Sequence, residues 1–343
     1  MSSNEIPPDA AFMQLMFGKQ IFFALGAIAR LNVADQLSNE PADVETVAAA
    51  TGTHAPSLYR VLRMLAGVGV FNELPGHRFT ITPIGELLQT HSPRSMRDMA
   101  IMFTDPWQIA AQQKMLDSIR TGVDGVTLAF GKQAFDLFRD IPDQAANFHR
   151  AMSSFSRGAA EGILQVADFS GFRRMADVGG GHGALLGGIL KRWSSLQGIL
   201  FDLPEVVSGA LDTGHFAGCE HRIQFESGNF FERIPKECDA YLMKHILHDW
   251  DDGSCRRILS LMREQLAKTA FRAGRVFLFE MVVPDGPGPA PAKLLDIEML
   301  TNTRGGKERT ESEFATLLAS AGLKLTRIIP THGPVCIVEA AVE

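Results

Sequence analysis

Two stretches of the sequence carry side chains whose types and spacing suit chemistry. In the first, Asp177-Val178-Gly179-Gly180-Gly181-His182-Gly183 sits between two apolar runs. Glycines where a strand passes into a helix permit a tight turn and close approach of backbone to a nucleotide-like ligand. Gly179, Gly181 and Ala184 satisfy the spacing Gly-x-Gly-x-x-Gly/Ala, and Asp202 follows at about the 20-residue distance of a ribose-binding acid. In the second stretch, Leu242-Met243-Lys244-His245-Ile246-Leu247-His248-Asp249-Trp250-Asp251-Asp252 leaves a predicted strand. Polar groups at that point in an open α/β sheet face its ligand crevice, so Lys244, His248 and Asp249 are placed to reach bound molecules. Two downstream carboxylates, Glu280 and Glu308, are candidates to orient an imidazole and stabilise its protonated form. The ordinary alternative for any one histidine is a structural hydrogen bond.

The acid that precedes the glycines bears on the ligand's charge. Asp177 attracts a cationic amino-acid group and repels a pyrophosphate, which favours an adenosyl sulfonium over a dinucleotide. Asp202 suits both ligands, because one carboxylate accepts from both ribose hydroxyls.

The elements that must hold these residues change character near residue 170. Before it, helical periodicity dominates. Residues 11–37 read as one or two strongly apolar helices, and Val44, Val47 and Ala48 lead into a Thr51-Gly52 turn. Leu58, Val61, Leu62 and Leu65 fall on one face of a second amphipathic helix. Val68–Phe71, a Pro75-Gly76 turn and Phe79–Ile81 then read as a hairpin, completing a winged helix-turn-helix. After it, short apolar strands alternate with helices, the pattern of a doubly wound α/β sheet. The expected strands are Met175–Val178, Ile199–Phe201, Ile223–Phe225, Ala240–Met243, Val276–Phe279, Leu323–Ile329 and Val335–Ala340, with Glu280 ending the fifth. The expected organisation is a winged-helix domain over 1–95, a helical region over 96–168 and a Rossmann-like seven-stranded domain over 169–343.

Bulk properties narrow the function. A net charge of −6 and only Arg60, Arg63, His77 and Arg78 at the helix and hairpin tip oppose nucleic-acid binding, which needs clustered cations. The apolar run Ile21–Ala29 is far short of the roughly 20 residues that span a bilayer. No membrane contact is expected, and the chain is expected in the cytoplasm. Cys219, Cys238, Cys255 and Cys336 are scattered without a Cys-x-x-Cys pair, so neither disulfides nor a metal site is expected.

Taken together, Asp177–Gly183, Phe201-Asp202-Leu203-Pro204, His248-Asp249-Trp250 and Gly305–Thr310 resemble the caffeic-acid-type plant and bacterial small-molecule O-methyltransferases, in that family's order and spacing. The resemblance extends over nearly the whole chain. It implies S-adenosylmethionine as cofactor, a small aromatic hydroxyl-bearing acceptor from secondary metabolism, and a homodimer formed through the N-terminal domain. It further implies that Gly179 lines the methionine part of the cofactor, Asp202 the ribose, Gly228-Asn229-Phe230 the adenine and Lys244 the adenosine rim, with Gly181 and Leu203 beside them. His248 becomes the general base, framed by Glu280 and Glu308. Asn229 departs from the family's usual Asp, and His182 from its usual Thr.

Methyl transfer from a sulfonium asks the enzyme to align an oxygen and remove its proton, without a metal. A phenol, with a pKa of about 10, suits an imidazole base better than an alkanol does. Phe103, Trp107, Phe148, Met152, Phe155 and Met299 are the candidates to clasp a flat ring, with Asp249 and Thr303 as polar contacts. Two competing readings are an S-adenosylmethionine-binding offshoot with another reaction and a winged-helix regulator that senses a metabolite.

Overall fold

The computed structural model describes residues 6–268 and 274–343. The chain divides into two compact units: the described residues to Ile109 with Phe138–Phe155, and Ala110–Leu137 with Ser156–Glu343.

In the first unit a helix runs Pro8–Arg30, started by Pro8 in its first turn and matched to its dipole by Asp9 and Arg30 at opposite ends. At 23 residues it far exceeds the run Ile21–Ala29, and it is long and apolar enough to cross a membrane by length and composition. Most of its large apolar side chains are exposed, Leu15 at 80% and Phe12 at 60% among them. Asp43 ends the two-residue strand β1 (Ala42–Asp43), and its carboxylate accepts from the Thr46 N–H at 2.8 Å to cap the helix Val44–Thr51. The helix Ala55–Gly67 buries Leu58, Leu62 and Leu65. Strands β2 (Phe71–Leu74) and β3 (Arg78–Ile81) form the hairpin, with β1 added to β3. The first hairpin strand starts three residues later than Val68, because the N–H groups of Val68, Gly69 and Val70 still bond back to the carbonyls of Leu65 and Ala66 and close the helix.

The second unit contains all seven expected strands: β4 (Arg174–Val178), β5 (Gln197–Asp202), β6 (Ile223–Ser227), β7 (Ala240–Lys244), β8 (Arg275–Val283), β10 (Leu323–Pro330) and β11 (Val335–Val342). Their order is β10-β11-β8-β7-β4-β5-β6, and the two-residue strand β9 (Arg309–Thr310) pairs with β8. The five strands from β6 to β8 are parallel; β11 and β10 are antiparallel. Parallel central strands are covered on both faces, so β7 reads as an unbroken apolar run over Ala240–Met243, while β4 is broken only by the buried Asp177 between Ala176 and Val178. Along β7, Tyr241 and Met243 join the core with Ile258 and Phe314, while Ala240 and Leu242 join the opposite core with Leu186 and Phe277. Strand β8 runs three residues beyond Glu280 because β9 extends its pairing at Val282 and Val283. Glu280 therefore lies within the strand, not at its end. The chain steps from β4 outward to β5 in one direction and to β7 in the other, and a ligand crevice forms at such a reversal, beyond the strands' carboxyl ends.

Candidate active site

Three of the sequence candidates meet at the carboxyl ends of β4 and β5. Asp177 is buried within β4, and its Oδ1 has no hydrogen-bond partner. Burial, only partly opposed by the nearby Lys244 ammonium, pushes the Asp177 carboxyl up to about 7. Asp202 ends β5; its Oδ2 accepts from the Gly181 N–H at 2.8 Å and its Oδ1 from the Leu203 N–H at 2.7 Å. Each oxygen keeps a second lone pair for a ligand donor. Gly181 has φ +58, and a Cβ there would meet nothing within 4 Å, so the turn leaves open space beside Asp202. Gly179 lies against the Ile246 and Phe230 side chains, both within 3.6 Å of where its Cβ would be. Asn229 is already engaged: its Oδ1 accepts from the Phe231 N–H at 3.0 Å and its Nδ2 donates to Glu232 at 3.3 Å. Lys244 donates through Nζ to Ser156 Oγ at 2.6 Å, and burial pulls its ammonium down against the pull of Asp177 and Glu280.

His248 occupies a single helical turn, Leu247–Asp249, directly after β7 and His245. Its Nδ1 stands 2.7 Å from Glu308 Oε1, and Glu280 Oε2 lies 3.8 Å away. Nε2 faces Asp249 Oδ1 at 3.6 Å, too far for a hydrogen bond. Glu280 also accepts the Leu247 N–H at 2.9 Å and the Ile246 N–H at 3.2 Å through Oε1. Glu308 is itself placed by its backbone N–H, which donates to Asp296 at 2.9 Å. The geometry joins three residues that are 28 to 60 positions apart in the sequence into one cluster.

Burial alone disfavours an imidazolium, but Asp249, Glu280 and Glu308 outweigh it and bring His248 up to about 10. Glu280, buried beside a second carboxylate, is pushed up to about 7. The His245 ring lies 5.3 Å from that of His248 and, through burial and the Lys244 charge, stays neutral. His245, His248 and Glu280 bring one ligand atom each within 4.8 Å of one another, a grouping the sequence pattern does not reveal. In this arrangement Glu280 Oε1 and His248 Nδ1 are engaged by protein hydrogen bonds.

The domain descriptions of known families divide the chain in the same order as its pattern does. An O-methyltransferase dimerisation domain matches residues 13–91, and an O-methyltransferase domain matches residues 113–324. The chain belongs to the O-methyltransferase family. It is 35% identical to the phenazine O-methyltransferase of Lysobacter antibioticus over 98% of this chain and 97% of that one. The mitomycin biosynthesis 6-O-methyltransferase of Streptomyces lavendulae is 34% identical over 92% of this chain and 89% of its own. CalO1, a methyltransferase in calicheamicin biosynthesis, in its S-adenosylhomocysteine-bound form has a TM-score of 0.88 at 31% identity, covering 100% of both chains. The family uses S-adenosylmethionine, and this member is an S-adenosylmethionine-dependent O-methyltransferase of secondary metabolism.

The acceptor candidates of this family member fall into two groups. Phe103, Phe148, Met152 and Phe155 pack together around Met99, Met102 and Ala151 in the first unit. Trp107 is 2% exposed, edge-on to Phe138 at 5.2 Å, and its buried indole N–H has no hydrogen-bond partner. In the second unit, Met299 is buried on the helix Pro291–Asn302, and the Thr303 hydroxyl donates back to the Met299 carbonyl at 2.8 Å. Sequence reasoning missed Ser156, Asp296 and Arg309. Only Arg309 carried a signal, through its place beside Glu308 in Gly305–Thr310.

Proposed function

We propose that this enzyme methylates an acidic hydroxyl, phenolic or enolic, on a small aromatic acceptor, with His248 as general base. The observation that carries the reading is the 2.7 Å contact between His248 Nδ1 and Glu308. It fixes the ring's orientation and commits Nδ1, leaving Nε2 to receive the acceptor's proton. Three carboxylates bring the imidazole into the range of a phenol, about 10, so proton transfer between them is close to thermoneutral. The same carboxylates hold a proton on the resting ring, which must leave before or as the acceptor docks. Asp249, beside Nε2, is read as an acceptor contact.

The residues at β4 and β5 suit S-adenosylmethionine. The buried, unpartnered Oδ1 of Asp177 is an acceptor awaiting a donor, and a cationic ligand at that point would hold the carboxylate ionised. Gly179 and Gly181 would lie beside the same part of the ligand, Asp202 and Leu203 beside the ribose, Gly228, Asn229 and Phe230 beside the adenine, and Lys244 at the adenosine rim. Bound there, the cofactor supplies an electrophilic methyl group; the protein's own task is alignment and proton removal. Phe103, Trp107, Phe148, Met152, Phe155, Met299 and Thr303 are kept as acceptor contacts, each to be tested by substitution. We read the domain limits as 1–95, 96–168 and 169–343 and the assembly as a homodimer. The four unpaired cysteines support a cytoplasmic, reducing setting.

The decisive test pairs His248→Gln with a panel of hydroxyphenazines, aminohydroxybenzoates and hydroxynaphthoates. Turnover is expected to fall at least about 100-fold, a loss typical of a general base, while calorimetry finds S-adenosylhomocysteine affinity unchanged. The wild-type rate is expected to rise with pH towards about 10, as His248 loses its resting proton, and the variant to lack that dependence. Full activity in His248→Gln would sink the reading.

A further inference from the structure

Arg309 is the largest fully buried side chain among the described residues, at 1% exposure. Burying a guanidinium is costly unless its donors are met. Here every nitrogen is engaged. Nη1 donates to the Leu247 carbonyl at 3.0 Å and the Lys307 carbonyl at 3.4 Å. Nη2 donates to the Trp250 carbonyl at 3.0 Å, to Asp252 Oδ1 at 2.8 Å and to Cys255 Sγ at 3.5 Å, and Nε to the same Asp252 oxygen at 3.1 Å. The ion pair does not explain the depth, because its acid is 54% exposed. The two carbonyls do. Leu247 and Trp250 bracket His248 and Asp249, so the guanidinium grips the chain on both sides of the imidazole. Glu280 holds the Ile246 and Leu247 N–H groups at the other end of the same turn. The turn's leading donors thus meet a carboxylate, and the carbonyls of Leu247 and Trp250, which also accept from the Cys255 thiol, meet a cation.

We propose that Arg309 is a positioning residue for methyl transfer: by clamping the carbonyls of Leu247 and Trp250 it holds the turn so that His248 keeps Nδ1 on Glu308. The inference rests on the reading of His248 as base. Adjacent residues thereby act on one target, Glu308 on the ring and Arg309 on the ring's own backbone.

The test uses the full chain and Arg309→Lys, which keeps the charge but replaces the planar fork by a point donor. A downfield, exchange-protected imidazole proton is expected in the wild-type NMR spectrum and absent from both His248→Gln and Glu308→Gln. Arg309→Lys is expected to lose it and to lose about tenfold to 100-fold in kcat on the best panel acceptor, with S-adenosylhomocysteine affinity within about twofold. A resonance retained in Arg309→Lys with kcat within about twofold of wild type overturns the proposal. So does its absence from the wild type, since no fixed bond would exist to be held. If Arg309→Lys does not fold, Asp252→Ala decides instead, because Asp252 Oδ1 takes both Nε and Nη2 and so aims the fork at the two carbonyls: a broadened resonance and lowered kcat support the clamp, and unchanged values overturn it. Turnover surviving in His248→Gln would remove the base reading alone, leaving the resonance in Arg309→Lys to judge the clamp.

Discussion

At the scale of single residues, the site is built from side chains that cost stability to place. Asp177 holds its proton more tightly in the folded chain than in the unfolded one. Its contribution to stability therefore falls as pH rises from about 4 to about 7 and stays at its lowest above that. Asp177→Asn is expected to raise the stability of the ligand-free chain at pH 8 by about 1–2 kcal/mol, once the amide's own unmet hydrogen bonds are subtracted. The gain should vanish near pH 4 in thermal melts, and the same variant should bind S-adenosylhomocysteine more weakly. A variant less stable than wild type at pH 8 would show that the buried carboxylate is not under strain. His248 shifts stability in the same direction with pH but over a higher window: its raised folded pKa adds stability that is complete below about 6.5 and lost as pH climbs through about 10.

At the scale of elements, the motif Gly305–Thr310 does more than supply an acid. A Cβ on Gly306 would stand 2.3 Å from the His248 carbonyl oxygen and 2.3 Å from Thr303 Oγ1, so only glycine lets this loop lie against the turn that carries the imidazole. Thr310 then starts the helix Glu311–Ser320 with a capping box to Glu313, which anchors the loop's far end. Gly306→Ala is expected to cost about 1–3 kcal/mol of stability, as overpacking does, and to reduce turnover more than it reduces cofactor affinity. Melting curves and kinetics on the same preparation check both. All seven long strands of the second unit were legible in the sequence, because each, parallel or antiparallel, is a short and mostly apolar run bounded by turns. The length of β8 was not, since its last residues are set by pairing with β9, a contact 27 residues away along the chain. His248, Glu280 and Glu308 were legible as candidates, though not the 2.7 Å contact that joins the first to the last. Their clamp was not, because Arg309 differs from an ordinary surface arginine only in what surrounds it.

At the scale of the whole molecule, the helix Pro8–Arg30 presents more apolar surface to solvent than a free-standing chain keeps. Its exposed Met13, Leu15 and Phe17 fall inside the region matched by the dimerisation domain. Sedimentation is expected to find a dimer in the wild type and a lighter or aggregating species in Leu15→Glu. A wild-type monomer would mean that something else covers this helix. The four thiols offer a different handle. Cys219, Cys238 and Cys255 are buried and Cys336 only partly so, and burial pushes Cys238 and Cys255 up to about 12. Alkylating reagents need a thiolate that they can reach. The folded enzyme should therefore take up label at Cys336 first, and Cys255, whose thiol donates to the Leu247 carbonyl of the turn that carries His248, only when that turn opens. Each copy of the chain thus carries a chemical clock in which the labelling rate at one sulfur reports how often the turn around His248 comes undone.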